Sequence, residues 1–265
     1  PVAAGQGDRA GLPRRSPVAA GGGAKAGFHL NLHDRPGPFL FGGETRRLFG
    51  LAEVRERVGG IAYLVSPTAF FQTNVRAAGV LAGVVLDALA DARFGRVLDL
   101  YAGVGLFALP LAMAGRRVMA VEESREAMAG AAAALRLNRI DAGRCRLITA
   151  RVEDALGVRL AAGRRGTGRR APFAVETNGW DAVILDPPRQ GCPPAVLDAV
   201  LRGMRTPRVV YVSCSLEALA RDMTRVEGSG YHVVRVQPVD MFPHTTHVET
   251  VVVLDRGDES GARRV

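Results

Sequence analysis

The chain has 265 residues, 48% of them hydrophobic and 23% charged, with 32 glycines and 15 prolines; it is long enough for a sizeable core, and collagen-like or wholly disordered readings are excluded. Against 26 acidic residues stand 35 basic ones, a net charge of +9, and every basic residue except Lys25 is arginine; this suits a polyanionic partner, and an Arg- and Ala-rich composition produces the same balance without one. Residues 59–75 and 100–115, the longest uncharged stretches, are interrupted by glycines and by Pro67 or Pro110, short of the roughly 18 apolar residues of a membrane span.

Residues 1–27 contain Leu12, two valines and no aromatic side chain, too little apolar surface to offset the entropy of ordering, so a disordered tail is expected. They show no apolar block of the kind a secretory signal carries, which makes a cytoplasmic protein the expectation. Residues 28–66 intersperse Phe28, Leu30, Leu32, Phe39, Leu40 and Phe41 among Gly and Pro and predict two or three strands or a strand pair, an edge layer smaller than a domain. From Val75 to Ala92 apolar residues recur at helical spacing, with Asn74 or Thr73 as the N-cap.

Five strand-helix units then follow, with strands read in RVLDL, RVMAVEE, RLITA, DAVILDPP and RVVYVSC; YHVVRVQPV and HVETVVVLDR come last with no helix between them. This pattern predicts an α/β fold: a doubly wound, mostly parallel seven-stranded sheet whose last two strands pair antiparallel at one edge. On such a sheet ligands sit beyond the carboxyl ends of the strands, where this sequence places Asp99, Glu122, Asp186 and Cys214.

Gly103 and Gly105 follow the first of these strands and permit a tight turn with close approach of a ligand. With Glu122 lying 122 − 103 = 19 positions beyond Gly103, the turn fits both a dinucleotide and an S-adenosylmethionine site. Asp186-Pro187-Pro188-Arg189 makes a rigid lip that aims a carboxylate into the crevice. Cys214 precedes a helix whose dipole would favour a thiolate, which makes it a candidate nucleophile. Glu249, His244 and His247 form an acid-base cluster, and the His-x-x-His spacing lacks further ligands for a metal. With Cys145, Cys192 and Cys214 far apart, no disulfide scaffold or metal cluster is expected. Between residues 158 and 179 an insertion carries Arg159, Arg164, Arg165, Arg169 and Arg170, candidates for phosphate contact.

Five motifs occur in order: Phe70-Phe-Gln-Thr-Asn, Asp99-Leu-Tyr-Ala-Gly-Val-Gly, Asp186-Pro-Pro-Arg-Gln-Gly, Tyr211-Val-Ser-Cys-Ser with Leu219-Ala-Arg-Asp, and Phe242-Pro-x-Thr-x-His-Val-Glu. Together they resemble the RNA 5-methyluridine methyltransferases, across about residues 60–255. The resemblance implies a class I methyltransferase fold with S-adenosylmethionine as donor, and matches Gln72, Tyr101, Gly103, Gly105, Glu122, Asp154 and Asp186 to cofactor positions. It further implies Cys214 as nucleophile, Glu249 as base, and a structured ribosomal or transfer RNA as substrate, with Arg189 and the arginine-rich insertion as phosphate contacts. Residues 28–66 then read as a remnant of a central RNA-binding domain, 67–256 as the catalytic domain and 257–265 as a tail. No metal, iron-sulfur cluster, membrane or obligate protein partner is expected. Ser215-Leu216 stands where the family has Asn-Pro, and Leu106 where relatives often have a polar residue. The rival readings are a nicotinamide-dependent oxidoreductase using the same turn and an RNA-binding relative without turnover.

Overall fold

A computed structural model describes residues 26–33, 41–158, 175–176 and 178–257. Arg159, Arg164, Arg165, Arg169 and Arg170 lie outside the described residues. By its contacts the chain divides into a smaller unit, Pro1–Glu56 with Leu64–Phe71, and a larger one, Arg57–Tyr63 with Gln72–Val265.

Among the described residues four strands precede the first helix, where two or three, or one pair, were expected: β1 (Gly27–Leu32), β2 (Glu44–Gly50), β3 (Val54–Val58) and β4 (Ile61–Val65). They make two separate antiparallel pairs, β1 with β2 and β3 with β4. Gly50 and the Gly59-Gly60 dipeptide, all at positive φ, make the breaks that separate β2 from β3 and β3 from β4.

In the larger unit the predicted alternation is realised. Helix α1 (Val75–Ala88) is capped by Asn74, whose side chain accepts the Ala77 N–H, and ends four residues short of the expected Ala92. There follow β5 (Arg96–Leu100), α2 (Ala108–Met113), β6 (Arg117–Glu122), α3 (Arg125–Leu137), β7 (Cys145–Thr149), α4 (Val152–Ala155), β8 (Ala182–Leu185), α5 (Pro194–Asp198), β9 (Arg208–Ser213), α6 (Leu216–Met223), β10 (Tyr231–Val239) and β11 (Glu249–Arg256). Helix α4 is a single turn, and α5 continues as a π-helical turn over Ala199–Met204.

The seven strands lie in the order β10-β11-β9-β8-β5-β6-β7. Strands β9, β8, β5, β6 and β7 pair in parallel, whereas β11 is antiparallel to both β9 and β10. The chain moves outward through β6 and β7 and then returns to place β8 on the other side of β5, so the switch point falls between β5 and β8. Residues alternate between faces: Leu98, Leu100, Val183, Leu185, Val209 and Tyr211 join one buried cluster with Val196, Leu197 and Leu201 of the α5 segment. Asp99 therefore faces the opposite side. At the outer edge, β10 exposes Val233, Val234 and Val236, carries Pro238, and has a bulge between Val233 and Arg235.

Asn138, just past α3, serves as a substitute strand for β4. It accepts the Ala62 N–H at 2.9 Å and donates to the Ala62 and Ala134 carbonyls at 2.7 Å each. Since Ala62 is buried, Asn138→Ala strands two backbone groups away from water. It is expected to cost about 2 kcal/mol, read as a lower urea midpoint at unchanged slope.

Candidate active site

The glycine turn between β5 and α2 is tied to β6 through Glu122. One carboxylate oxygen of Glu122 accepts the Gly103 N–H at 3.0 Å and the other accepts the Ser124 N–H at 2.8 Å. Each oxygen keeps a lone pair for a further donor. Tyr101 opens the turn in the left-handed region at φ 65, a conformation that costs a non-glycine residue energy and collects at functional sites. Its hydroxyl points toward Cys192 Sγ, 4.0 Å away. Gly103, at φ 54, carries open space where a side chain would begin: a Cβ there meets no heavy atom within 4 Å.

Beneath this turn, Asp99 is fully buried and neither of its carboxylate oxygens has a hydrogen-bond partner. Burial pushes its carboxyl up to about 8; the Ala108 N–H opposes that rise from outside hydrogen-bond geometry, and Glu122 adds to it. Sequence reasoning noted Asp99 only as a strand end.

Asp186 follows β8 and donates its backbone N–H to the Leu100 carbonyl at 3.3 Å, which sets it beside Tyr101. Burial holds its carboxyl well above the ordinary range, reinforced by Glu249, Asp99 and Glu122. Across the sheet, Ser213 of β9 pairs with Thr250 of β11, so Cys214 and Glu249 stand one step further on, opposite each other. Glu249 is 6% exposed. Its carboxyl is raised by burial and lowered by Arg189. Arg189 in turn contacts the His247 ring through Nη2 at 3.1 and 3.3 Å.

The pull of the helix end expected at Cys214 is opposed by its surroundings. Cys214 is half-buried, and burial raises its thiol; Glu249 and Asp186 raise it further, with Arg189 and a backbone N–H opposing. Ser215 meanwhile caps α6 through its own side chain, accepting the Ala218 N–H at 3.3 Å, and supplies the cap where the family has Asn. Burial is the largest of these influences on the sulfur, and the two acidic groups act in the same direction.

The other expected positions are more dispersed. Gln72 is half-buried just ahead of α1, and Asp154 is exposed on α4. Its neighbour Glu153, which sequence reasoning passed over, has the electrostatic influence on Tyr101 and Cys192. His244 adopts φ 66 in the loop before β11. Among the described residues no group of three or more His, Cys, Asp or Glu side chains is placed to hold a metal, and no helix is long and apolar enough to cross a membrane.

Comparison with known proteins gives one consistent answer. The profile of the tRNA (uracil-5-)-methyltransferase family matches residues 52–257. An uncharacterized RNA methyltransferase of Gloeobacter violaceus is 38% identical over 230 residues, 87% of this chain and 46% of that protein. A counterpart from Thermosynechococcus vestitus is 37% identical over 86% of this chain and 46% of its own length. This chain thus spans about half the length of the curated relatives it matches. Among solved structures, the Pyrococcus abyssi tRNA (uracil-54, C5)-methyltransferase in complex with S-adenosyl-L-homocysteine superposes with a TM-score of 0.69 at 29% identity, covering 86% of this chain and 50% of that one.

The electrostatics of the Cys214–Glu249 pair can be checked with the protein alone. Burial raises the thiols of Cys145 and Cys192 to about 12, so alkylation by iodoacetamide near pH 8 reports Cys214, with Cys214→Ser as the blank. Glu249→Gln removes a negative charge facing the sulfur and is expected to speed alkylation about threefold at that pH. An unchanged rate would show that the two groups do not interact.

Proposed function

Because this chain belongs to the tRNA (uracil-5-)-methyltransferase family, we propose that it transfers a methyl group from S-adenosylmethionine to C5 of a uridine in a structured ribosomal or transfer RNA. The observation that carries this reading is the placement of Cys214 opposite Glu249, on the sheet edge that also holds Asp186 and the Glu122-bound turn. The turn fits such a donor: space stands open above Gly103, and both Glu122 oxygens retain acceptor capacity for ribose hydroxyls. Gln72, Tyr101, Gly103, Gly105, Glu122 and Asp186 would hold it, with Asp154 or its neighbour Glu153 toward the adenine side.

When bound, S-adenosylmethionine supplies an electrophilic methyl on a sulfonium. Uracil C5 is a poor nucleophile by itself. The Cys214 sulfur adds to C6, and the electron pair of the C5–C6 double bond moves toward O4, giving an enolate reactive at C5. Once C5 carries the methyl, Glu249 accepts the C5 proton; the electrons of that C–H bond restore the double bond and expel the sulfur from C6. The raised carboxyl of Glu249 suits a base working near neutral pH. For the sulfur to reach C6 the uridine must leave its stack, so a loop or an opened helix is the expected target. Arg189 is the described candidate for a phosphate contact, and Arg164, Arg165, Arg169 and Arg170 of the insertion are the others. Residues 28–66 are assigned to RNA binding and residues 67–256 to catalysis.

RNA carrying 5-fluorouridine is expected to leave a stable covalent adduct through Cys214, seen as a mass increase on the peptide; a folded, intact protein that forms none would overturn the reading. With ordinary RNA, Glu249→Gln is expected to accumulate the same linkage while turnover collapses, because the proton that releases the enzyme stays on C5. Gly103→Ala costs about 1 kcal/mol of strain at φ 54, yet its methyl enters the space above the turn. It is expected to weaken S-adenosylhomocysteine binding about tenfold or more while shifting the melting temperature by only a few degrees, by calorimetry on both counts.

A further inference from the structure

Arg189 is the cation that opposes the upward shift at both Cys214 and Glu249, so what holds Arg189 in place bears on the chemistry. It occupies a tight turn closed by the Gly191 N–H to the Pro188 carbonyl at 2.8 Å. On the β8 side that turn is anchored by Asp186 and the two prolines. On the other side its anchor is Asp222, a carboxylate on α6 that is 3% exposed. Asp222 accepts the Cys192 N–H at 2.7 Å and the Tyr211 hydroxyl at 2.6 Å on one oxygen, and Arg221 Nε and Nη2 at 3.1 and 3.0 Å on the other. Arg221 Nη2 also donates to the Gln190 carbonyl at 2.5 Å. Gly191 is required for this closeness: at φ 82, a Cβ there would lie 2.5 Å from Asp222 Oδ2 and 3.2 Å from Ala218 Cβ.

We propose that Asp222 is a positioning residue for the Cys214 chemistry: by locking residues 190–192 onto α6 it fixes the Pro188–Gly191 turn and with it the guanidinium of Arg189. Asp222 touches neither the sulfur nor the glycine turn of the donor site. Three charged groups face Cys214, namely Glu249 on β11, Asp186 after β8 and Arg189 in the turn, and Arg189 itself meets His247. Of these, Arg189 depends on Asp222, whereas Asp186 is held by β8 and Glu249 by β11. The proposal rests on reading Cys214 as the nucleophile, but its test needs neither RNA nor methyl transfer.

The test is the pH profile of Cys214 alkylation by iodoacetamide in the full chain, for wild type, Asp222→Asn, Arg189→Gln and the double variant. Asp222→Asn is expected to move the profile to higher pH, about threefold slower at pH 8, with Arg189→Gln doing the same or more. The double variant is expected to match Arg189→Gln alone, since both changes remove one interaction. Affinity for S-adenosylhomocysteine is expected to stay within about twofold, a separation of effects that general loosening would not produce. Tyr211→Phe, which deletes one hydrogen bond to the same carboxylate, serves if Asp222→Asn does not fold, and is expected to shift the profile in the same direction. A folded variant whose profile superimposes on wild type, or single shifts that add in the double variant, would overturn the proposal. Absence of methyl transfer by wild type with the alkylation shift intact would instead overturn only the functional reading.

Discussion

The parallel pairing of β5 with β8 is the constraint from which the rest of the site follows. In that register Leu100 lies beside Leu185, so the next residues in each strand, Tyr101 and Asp186, emerge together at the crevice. Everything else at the edge is measured from this pair. Strand β6 brings Glu122 to the glycine turn on one side, and β9 with β11 bring Cys214 and Glu249 on the other. A slip of one residue would exchange the faces of Leu98 and Asp99, moving a carboxylate into the apolar cluster beneath α5. The sheet resists that slip because its central strands are buried on both faces.

A consequence of this convergence is a concentration of acidic groups where water is scarce. Asp99, Asp186 and Glu249 all have raised carboxyls, and burial is the largest cause for each. Burying such groups opposes folding, and the left-handed backbone of Tyr101 adds to that cost. The remaining core, from Leu98 and Leu100 to Leu254, supplies the stability that tolerates both. Arg189 is the counterweight set among these acids, opposing the rise at both Cys214 and Glu249.

Much of this was legible in the sequence. Buried parallel strands read as continuous apolar runs, and Asn74, one of the two N-cap candidates, does cap α1. The seven-stranded sheet, its antiparallel edge and the residues at its carboxyl ends follow from those signals. The first strands were harder, because Gly and Pro among isolated aromatic and leucine residues do not tell which strand pairs with which. The surroundings of the Cys214 thiol were hidden, because Glu249 and Asp186 come near it only after β8, β9 and β11 have paired. Asp222 appeared only as the last residue of Leu219-Ala-Arg-Asp, with no role attached, because an acid beside an arginine on a helix normally faces solvent, and here it is buried against Gly191 and Cys192. The glycine following Asp-Pro-Pro-Arg-Gln was a second visible hint.

The outer strand β10 has a further consequence, for behaviour at high concentration. Its three exposed valines would make a flat rim adhesive, and a long apolar edge is a template for fibrils. The bulge after Val233 bends the rim, and Pro238 removes a donor from it. The molecule can thus keep an apolar border without offering other molecules a ladder on which to polymerise.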